Sequence, residues 1–404
     1  MIDVSLINKC EKKLNKIFSY FEDIALFNQE KVLNTFKKNQ IALRHFSGTT
    51  GYGYGDEGRD TLNKVIADIF KCESAICSPT IVSGTHALAL CLYGVLRPND
   101  KFLSITGTPY DTLNDVIKGK GTGSLEDYNV TFDSIELDNN GNFNKDKIKD
   151  YLLNNSPKMV YLQRSRGYAW RSALSIEKIE EIVKFVKDLG FNGCIMLDNC
   201  YGEFMDKREA TEVGVNLLAG SMIKNIGGGI APTGGYVCGD EKYVELVKNR
   251  LTAPSISGEV GSYYSGYQYF YQGLFLAPHT VLQSVKGTLL FGEVLRELGY
   301  KTSPETNEEI PNDIILSIMF KDKEKLIKFI QCIQKNSPID SHVLALPWAM
   351  PGYNDEVIMA AGCFVQGSSI ELSADAPIKP PYIAYLQGGL TYEHCKIALK
   401  NLEL

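Results

Sequence analysis

Lys224 is the residue whose surroundings most favour covalent chemistry. It follows an apolar stretch, residues 217–220, and precedes consecutive glycines at 227–229, whose backbone can come close to a ligand. Because an apolar setting removes hydration from an ammonium group, we expect the pKa of Lys224 to fall, so that a free amine exists near neutral pH. A free lysine amine can form a Schiff base with an aldehyde cofactor. Lys224 is therefore the leading candidate for a catalytic residue.

Asp198 is the second candidate, and it ends another short apolar segment, residues 194–197. An aspartate in this position is expected to be buried, and a buried carboxylate needs a cationic or hydrogen-bonding partner. Ser221 adds a hydroxyl close to Lys224 in the chain. The carboxylate, hydroxyl and amine are thus all predicted at the ends of apolar strands.

Ser83, Gly84 and Thr85 directly precede an apolar helical segment, HALALCLYGV. The free backbone N–H groups, the hydroxyls and the positive end of a helix would converge on one point, which suits a phosphate group. The alternative is an ordinary serine or threonine N-cap. Tyr110 lies at a strand-to-helix connection further along, where α/β folds place ligand contacts.

Two further segments carry residues suited to a site. Residues 163–171, QRSRGYAWR, follow a predicted buried strand and contain three arginines, which favours an anion site over surface salt bridges. Residues 47–59, SGTTGYGYGDEGR, form a glycine-rich loop with Tyr52, Tyr54 and Arg59. Such a loop is either a long connection or a functional loop that projects into a site.

Together these residues match the requirements of a pyridoxal 5′-phosphate (PLP) site. Lys224 would hold the aldehyde, and Asp198 would face the pyridine nitrogen and keep it protonated, which makes the ring an electron sink. The phosphate would be held by Ser83, Gly84, Thr85 and Ser221. Tyr110 would stack on the ring.

The elements that position these residues follow from the hydrophobic pattern. Strand and helix patterns alternate over residues 75–240, which predicts an α/β fold with a mainly parallel sheet and a site at its carboxyl edge. Residues 1–45 are predicted to form an N-terminal helical segment, residues 46–285 a large PLP-binding domain and residues 286–404 a small C-terminal α/β domain. Within the small domain, the segment HVLALPW, residues 342–348, is one predicted strand.

Composition excludes several other classes. A net charge of −6 gives no electrostatic reason to expect a nucleic acid or an anionic membrane as partner. No apolar run is long enough to span a bilayer and the N-terminus lacks a signal-peptide core, so a cytoplasmic location is expected. The ten cysteines include no CxxC pair and the five histidines no HxxH pattern, which predicts reduced thiols and no metal site.

In order and spacing, the site residues resemble the fold type I, aspartate-aminotransferase-like PLP enzymes, and most closely the cystathionine/methionine lyase group. Equal intervals separate Gly84 from Tyr110 and Asp198 from Lys224, as in that pattern. From about residue 40 onward, six segments resemble the subgroup described as methionine γ-lyase-like or aluminium resistance proteins: GYGYGDEGRDTL, SGTHALAL, GTPYDTL, QRSRGYAWR, GSMIKNIGGGIAPTGGY and ELSADAPIKPPYIAYLQGGLTYEH.

This resemblance implies a homo-oligomer with its site at a subunit interface. A catalytic dimer, paired into a tetramer, is expected, in which Tyr52 or Tyr54 and Arg59 reach the phosphate of the neighbouring subunit. Lyases of this group bind the substrate carboxylate through an arginine of the small domain. Here the matching segment carries Lys379, which offers a point charge rather than a bidentate fork. Arg166 and Arg171 are the alternative ligands for that carboxylate.

The implied activity is that of a carbon–sulfur lyase acting on a sulfur amino acid such as cystathionine or methionine. Lys224 would serve as base for the α-proton and Tyr110 as acid for the departing thiolate. The nearest alternative is another PLP reaction, such as transamination, decarboxylation or aldol cleavage. A non-catalytic regulatory protein that keeps the scaffold is a further alternative. A nucleotide-binding protein is disfavoured, because no GxxxxGK[ST] motif accompanies the glycines.

Overall fold

The structure is a computed structural model that describes residues 1–138, 140–306 and 308–403. The α-helices are α1 (Val4–Lys13), α2 (Asn15–Lys38), α3 (Glu57–Ile69), α4 (Gly84–Val95), α5 (Asp111–Lys118), α6 (Lys145–Asn154), α7 (Ile176–Asp188), α8 (Glu241–Leu251), α9 (Gln268–Glu297), α10 (Lys323–Lys335) and α11 (Tyr392–Lys400). The strands are β1 (Ser74–Ser78), β2 (Lys101–Ser104), β3 (Thr131–Ser134), β4 (Met159–Gln163), β5 (Cys194–Asp198), β6 (Leu217–Ser221), β7 (Gly235–Gly239), β8 (Lys301–Ser303), β9 (Ile315–Met319), β10 (Val357–Ala360), β11 (Ser373–Pro377) and β12 (Ile383–Gln387).

The larger sheet has seven strands in the order β1-β7-β6-β5-β4-β2-β3. Its neighbours from β6 to β3 are all parallel pairs. β7 is antiparallel to both β1 and β6, so it alone runs against the other six. This arrangement confirms the predicted mainly parallel sheet. Its parallel strands end at one edge, where the loops after β4, β5 and β6 meet.

Both faces of the larger sheet are covered. Consecutive residues of β5 enter different cores, because side chains alternate across a strand. Met196 packs in the cluster that includes Leu88 of α4, whereas Leu197 packs in the cluster that includes Phe21 of α2 and Leu290 of α9. Strands buried on both faces are apolar throughout, which is why β4, β5 and β6 are continuous apolar runs in the sequence.

The predicted N-terminal helical segment consists of two helices, α1 and α2, and both lie against α9. Asp3 caps α1 by accepting a hydrogen bond from the backbone N–H of Ser5. Helix α9 is continuous from Gln268 to Glu297, so the predicted boundary between residues 285 and 286 falls within one helix. The first strand of the second sheet begins later, at Lys301. The division of the chain into domains stays a prediction.

The smaller sheet has five antiparallel strands in the order β10-β11-β12-β9-β8. Helix α10 packs against it through apolar residues such as Phe329 and Ile333. The prediction of a regular strand over residues 342–348 is wrong. That segment makes one isolated bridge, between Trp348 and Val357, and Leu344 is 64% exposed. Apolar composition predicted the strand, but the segment pairs with no neighbouring strand along its length.

No helix within the described ranges is long and apolar enough to cross a membrane. The same residues contain no group of three or more His, Cys, Asp or Glu side chains that could hold a metal ion. All ten cysteines are free thiols, and nine of them are buried.

Candidate active site

Two neighbouring strands, β5 and β6, bring the two main candidates to one edge of the sheet. Asp198 ends β5 and lies opposite Ala219 of β6. β6 ends at Ser221, and Lys224 follows after a short turn. Because the strands are parallel neighbours, Asp198 and Lys224 leave the sheet at the same edge. The register of β5 and β6 therefore places the carboxylate and the amine at the same edge, as the sequence predicted.

The glycines after Lys224 pack against the protein itself. A Cβ atom on Gly227 would overlap the carbonyl oxygen of Met222. Gly228 has φ 57°, and a Cβ atom there would overlap the carbonyl oxygen of Gly273 in α9. Packing within the protein therefore requires glycine at these two positions, and their approach to a ligand stays a prediction. Their role is to let the loop after Lys224 close against α9.

Tyr201 is an aromatic neighbour of Lys224. The Nζ atom of Lys224 lies 4.1 Å from the centroid of the Tyr201 ring, a cation–π distance. Tyr201 follows β5 with φ 70°, a left-handed conformation that is uncommon for a residue with a side chain. The amide of Asn225 donates to the carbonyl oxygen of Tyr201 at 3.0 Å and so holds this turn. The turn positions the ring against the lysine.

The pKa of Lys224 lies well above its usual value. Burial by itself lowers this pKa, as expected from the sequence, but the acidic side chains around the ammonium outweigh burial. In decreasing order, the groups that raise it are Cys200, Tyr201, Asp198 and Tyr110. The expectation of a lowered pKa is therefore wrong, because the tertiary structure surrounds the amine with acidic groups. At neutral pH Lys224 holds its proton.

Asp198 is buried, with 3% of its surface exposed. Burial raises the pKa of its carboxyl, and the charge of Lys224 acts in the opposite direction. Its Oδ1 atom accepts a hydrogen bond from the backbone N–H of Cys200 at 3.1 Å. The carboxyl is therefore held by the turn after β5, and the nearby cation is Lys224 from the turn after β6.

Gly84, at the first turn of α4, lies beside Ser221. A Cβ atom on Gly84 would lie 3.4 Å from the Cβ of Ser221 and 3.6 Å from the Sγ of Cys200. Ser83 caps α4, since its Oγ accepts a hydrogen bond from the backbone N–H of His86 at 3.0 Å. The predicted phosphate residues of α4 and β6 are thus adjacent. The side chain of Ser83 is an ordinary N-cap, which was the alternative interpretation of this residue.

Tyr110 and Thr85 are joined directly. The Tyr110 hydroxyl lies 3.0 Å from the Oγ1 of Thr85, and Thr112 lies 3.3 Å from the same atom. Burial raises the pKa of Tyr110, and Asp198 raises it further. The phenol therefore keeps its proton at neutral pH. Tyr110 belongs to the same group as the α4 N-terminus and Asp198.

The glycine-rich loop presents its two tyrosines to solvent. Tyr52 is 74% exposed and Tyr54 67% exposed. Arg59 is buried, and it donates to the carbonyl oxygens of Gly53 at 3.0 Å and Glu259 at 3.3 Å. Arg59 thus holds the loop of its own chain, while the tyrosines point outward.

The three candidate ligands for a substrate carboxylate are engaged by protein groups. Arg166 is fully buried and pairs through Nε and Nη2 with both carboxylate oxygens of Asp313, at 3.1 and 3.2 Å. Arg171 donates to the carbonyl oxygen of Gln163 at 3.1 Å. Lys379 is exposed and lies 2.7 Å from the carboxylate of Asp355. The role of each in substrate binding stays a prediction.

Two ionisable residues at this edge were not recognised from the sequence. Asp375 of β11 is half-buried, and burial raises its pKa to about 7 against opposing effects of Tyr168, Gln387 and Lys224. Glu203 is fully buried, and burial raises its pKa to about 7, although Tyr236 donates to it at 2.7 Å. Asp375 lies in the segment ELSADAPIKPPYIAYLQGGLTYEH, which was recognised as a motif. The local pattern of that segment does not show that Lys224 acts on this carboxyl.

The donor set fits PLP. An amine, a buried carboxyl, a phenol and a helix N-terminus beside a serine are the groups that such a cofactor requires. Burial raises the pKa of the Tyr161 hydroxyl, and Asp198 and Tyr110 raise it further; this buried hydroxyl has no hydrogen-bond partner among the described residues. A buried polar group without a partner is costly, so the site has unused hydrogen-bonding capacity.

Comparison with known proteins identifies the family. Residues 3–403 match the family described as methionine gamma-lyase. The chain belongs to that family. An uncharacterised protein of Bacillus subtilis, YnbB, is 46% identical over 392 residues, which cover 96% of this chain and 93% of YnbB.

Solved structures of similar proteins agree with this assignment. A carbon–sulfur lyase involved in aluminum resistance, from Clostridium novyi, is 48% identical, with a TM-score of 0.95 over 99% of this chain and 94% of that one. The pyridoxal-5′-phosphate-dependent protein YhfS from Escherichia coli is 16% identical, with a TM-score of 0.62 over 94% of each chain. That likeness is one of fold, and it confirms fold type I for this member of the methionine gamma-lyase family.

Proposed function

We propose that this protein is a PLP-dependent carbon–sulfur lyase that acts on a sulfur amino acid such as cystathionine or methionine. The observation that carries the proposal is the meeting of Lys224, Asp198, Tyr110 and the N-terminus of α4 at one sheet edge, in a chain of the methionine gamma-lyase family. The four elements that supply these groups are far apart in sequence, so their meeting has no simple local explanation.

Each group has a defined part in holding the cofactor. Lys224 would hold its aldehyde carbon, Asp198 its pyridine nitrogen, and Tyr110 its ring face. Gly84, Thr85 and Ser221 would bind its phosphate through backbone N–H groups, hydroxyls and the helix dipole, with Ser83 as the cap that maintains the helix start. When bound, the cofactor supplies an electron sink for negative charge at the α-carbon of the substrate.

The proton transfers are assigned to side chains of the chain. Lys224 Nζ would serve as the base for the α-proton of the substrate, and the Tyr201 ring would keep the resulting ammonium close to the site. Tyr110 holds its proton at neutral pH because burial raises its pKa. Its hydroxyl is therefore the proposed donor to the departing thiolate.

For the substrate carboxylate, the contacts favour Lys379 over Arg166. Arg166 already directs donors at Asp313 and at Ser303, whose carbonyl oxygen lies 2.7 Å from Nη1. Lys379 is joined to one exposed carboxylate, and a surface pair of this kind is worth little. Release of Lys379 for a substrate therefore costs less than release of Arg166.

We also propose a homodimer, paired into a tetramer, with the site at a subunit interface. Tyr52 and Tyr54 are large side chains on an exposed loop, and their rings lie 5.7 Å apart. Exposed aromatic pairs are typical of protein interfaces. Either tyrosine, with Arg59 as the residue that fixes the loop, would reach the phosphate of a neighbouring subunit.

The test is a product analysis on protein purified with its cofactor. The proposal expects a visible absorbance band that borohydride abolishes, with the pyridoxyl label on Lys224. It also expects a thiol, ammonia and a 2-oxo acid in equal amounts from a thioether amino acid. A requirement for an amino-group acceptor would assign an aminotransferase instead. Cofactor binding without turnover of any amino acid would assign a regulatory role.

The matched variant is Lys224→Ala. It should remove the label and reduce turnover by about a thousandfold or more while circular dichroism is unchanged, because one residue both holds the cofactor and moves the proton. Lys187→Ala is the control. The Lys187 ammonium donates a hydrogen bond to the carbonyl oxygen of Gly214 and has no part in the proposed site. A fully active, unlabelled Lys224→Ala protein would refute the assignment.

A further inference from the structure

The carboxyl of Asp375 lies at the small-sheet side of the site and is held by neutral donors. The Nε2 of Gln387 donates to its Oδ2 at 3.3 Å. Tyr168, from the loop after β4, is its other side-chain hydrogen-bond partner. Among the described residues, none forms an ion pair with this carboxyl. A half-buried carboxylate with no cation within ion-pair distance is costly unless a ligand supplies one.

Tyr385 of β12 lies opposite Asp375 of β11, and other tyrosine rings pack beside Tyr385. The Tyr168 ring lies 5.0 Å from the Tyr385 ring and 6.0 Å from the Tyr353 ring, centroid to centroid. The Tyr385 hydroxyl donates to the carbonyl oxygen of Tyr168 and so fixes the loop. Burial raises the pKa of Tyr201, whose ring contacts Lys224, and the Asp375 carboxyl raises it further. The group is therefore continuous with the site around Lys224.

The chemistry of this group is that of a receptor for a cation. Ring faces attract a positive charge, and a carboxylate beside them supplies the opposite charge. Burial raises the pKa of each tyrosine, so all of them are neutral at physiological pH. Lys224 is the cation that acts on Asp375. However, Asp375 is not among the four groups that raise the pKa of Lys224 most, whereas Asp198 is.

We propose that Asp375, with Tyr168 and Tyr353, binds a positively charged group on the side chain of the substrate. The preferred substrates would then be amino acids whose leaving group carries an amino group rather than a simple alkyl thioether. This inference rests on the proposed lyase function, because it assigns the side-chain subsite of that same reaction. It makes Asp375 the specificity-determining residue of the site.

Two amino acids of equal size test the subsite directly. S-(2-Aminoethyl)-L-cysteine and S-propyl-L-cysteine differ by one terminal group, which is an ammonium in the first and a methyl in the second. On the holoenzyme, the ratio of kcat/KM for pyruvate release should favour the cationic ligand by about ten- to a hundredfold, the range of hydrogen bonds to charged groups. If neither ligand is turned over, dissociation constants measured by calorimetry provide the equivalent ratio.

Asp375→Asn is the decisive variant, because it keeps the shape of the side chain and removes its charge. It should abolish the preference by weakening the cationic ligand and leaving the propyl ligand unchanged. Asp188→Asn is the matched control, since it removes one carboxylate from an exposed i,i+4 pair on α7. That control should keep the full preference.

A pH series on the unaltered enzyme provides a test that needs no variant. The cation binds the ionised carboxyl, and burial raises the pKa of Asp375 to about 7. The preference should therefore increase as pH rises from about 6 to about 8, while both ligand amines stay charged. The charged and titratable groups that face Asp375 are Lys224, Tyr168, Tyr201, Tyr353 and Tyr385.

The outcomes separate this inference from the proposed function. Equal binding of the two ligands, a preference that ignores pH, or an equal loss for both ligands in Asp375→Asn would overturn the subsite. Absence of pyruvate, thiol and ammonia with a retained calorimetric preference would overturn the lyase assignment and support the subsite. A preference lost in Asp375→Asn and kept in Asp188→Asn supports it.

Discussion

The ammonium of Lys224 lies 4.1 Å from the centre of the Tyr201 ring, although the two residues come from the loops of different strands. Tyr201 reaches this position because its backbone is left-handed at φ 70° and because Asn225, the residue after Lys224, donates to its carbonyl oxygen. The cation–π contact and this hydrogen bond thus join the loop after β5 to the loop after β6. This cation–π contact keeps the ammonium of Lys224 at the candidate site.

Asp198→Asn should change when Lys224 takes up the cofactor. Asp198 raises the pKa of Lys224, so removal of its charge lowers that pKa and gives more free amine at a given pH. The pH dependence of PLP uptake by apoenzyme, followed by visible absorbance, should move to lower pH. Turnover should fall by about a hundredfold or more, since the carboxylate no longer faces the pyridine nitrogen. An unchanged uptake profile would show that Asp198 does not act on Lys224.

Arg166→Ala and Asp313→Ala should destabilise the protein to a similar extent. Each leaves a fully buried partner charge without compensation, which costs about 3–5 kcal/mol in comparable pairs. Urea unfolding with a folded-state probe measures this cost. If Arg166 instead binds the substrate carboxylate, its replacement should raise KM while Asp313→Ala leaves KM unchanged.

A mixed oligomer should test the partner role of Tyr52 and Tyr54. The double variant Tyr52→Ala/Tyr54→Ala and the single variant Lys224→Ala should each be inactive as pure oligomers. When the two chains are refolded together, a site that takes its tyrosine from the neighbouring subunit becomes complete in one arrangement, so about a quarter of the sites should regain activity. No recovery on mixing, with mixed oligomers confirmed by mass spectrometry, would place the tyrosines in their own subunit's site or outside any site.

Gly228→Ala should cost more stability than Gly190→Ala. Both glycines have a positive φ, 57° and 89°, so each alanine is strained by about 1–2 kcal/mol. A Cβ atom on Gly228 would also overlap the carbonyl oxygen of Gly273 in α9, whereas one on Gly190 meets nothing within 4 Å. Thermal unfolding should therefore show a clearly lower Tm for Gly228→Ala. Equal shifts would mean that the loop moves away from α9 freely.

Much of the fold was predictable because it depends on local patterns. The apolar runs of β4, β5 and β6 and the amphipathic helices α1 and α2 follow from periodicity, and the strand ends place Asp198 and Lys224. The segment 342–348 shows the limit of this reasoning. Its apolar residues predicted a strand, yet a strand also needs a paired neighbour, and Trp348 makes only an isolated bridge.

The sequence by itself determined which residues lie at the carboxyl edge of the large sheet, because parallel strands end together wherever their apolar runs end. Only the tertiary structure decided the electrostatics of that edge. It raised the pKa of Lys224 instead of lowering it, paired Arg166 with Asp313, and brought Asp375 from β11 toward the lysine. These outcomes depend on the distances between groups far apart in the chain. The energies of charges and buried hydrogen bonds are set by such distances, which no local pattern contains.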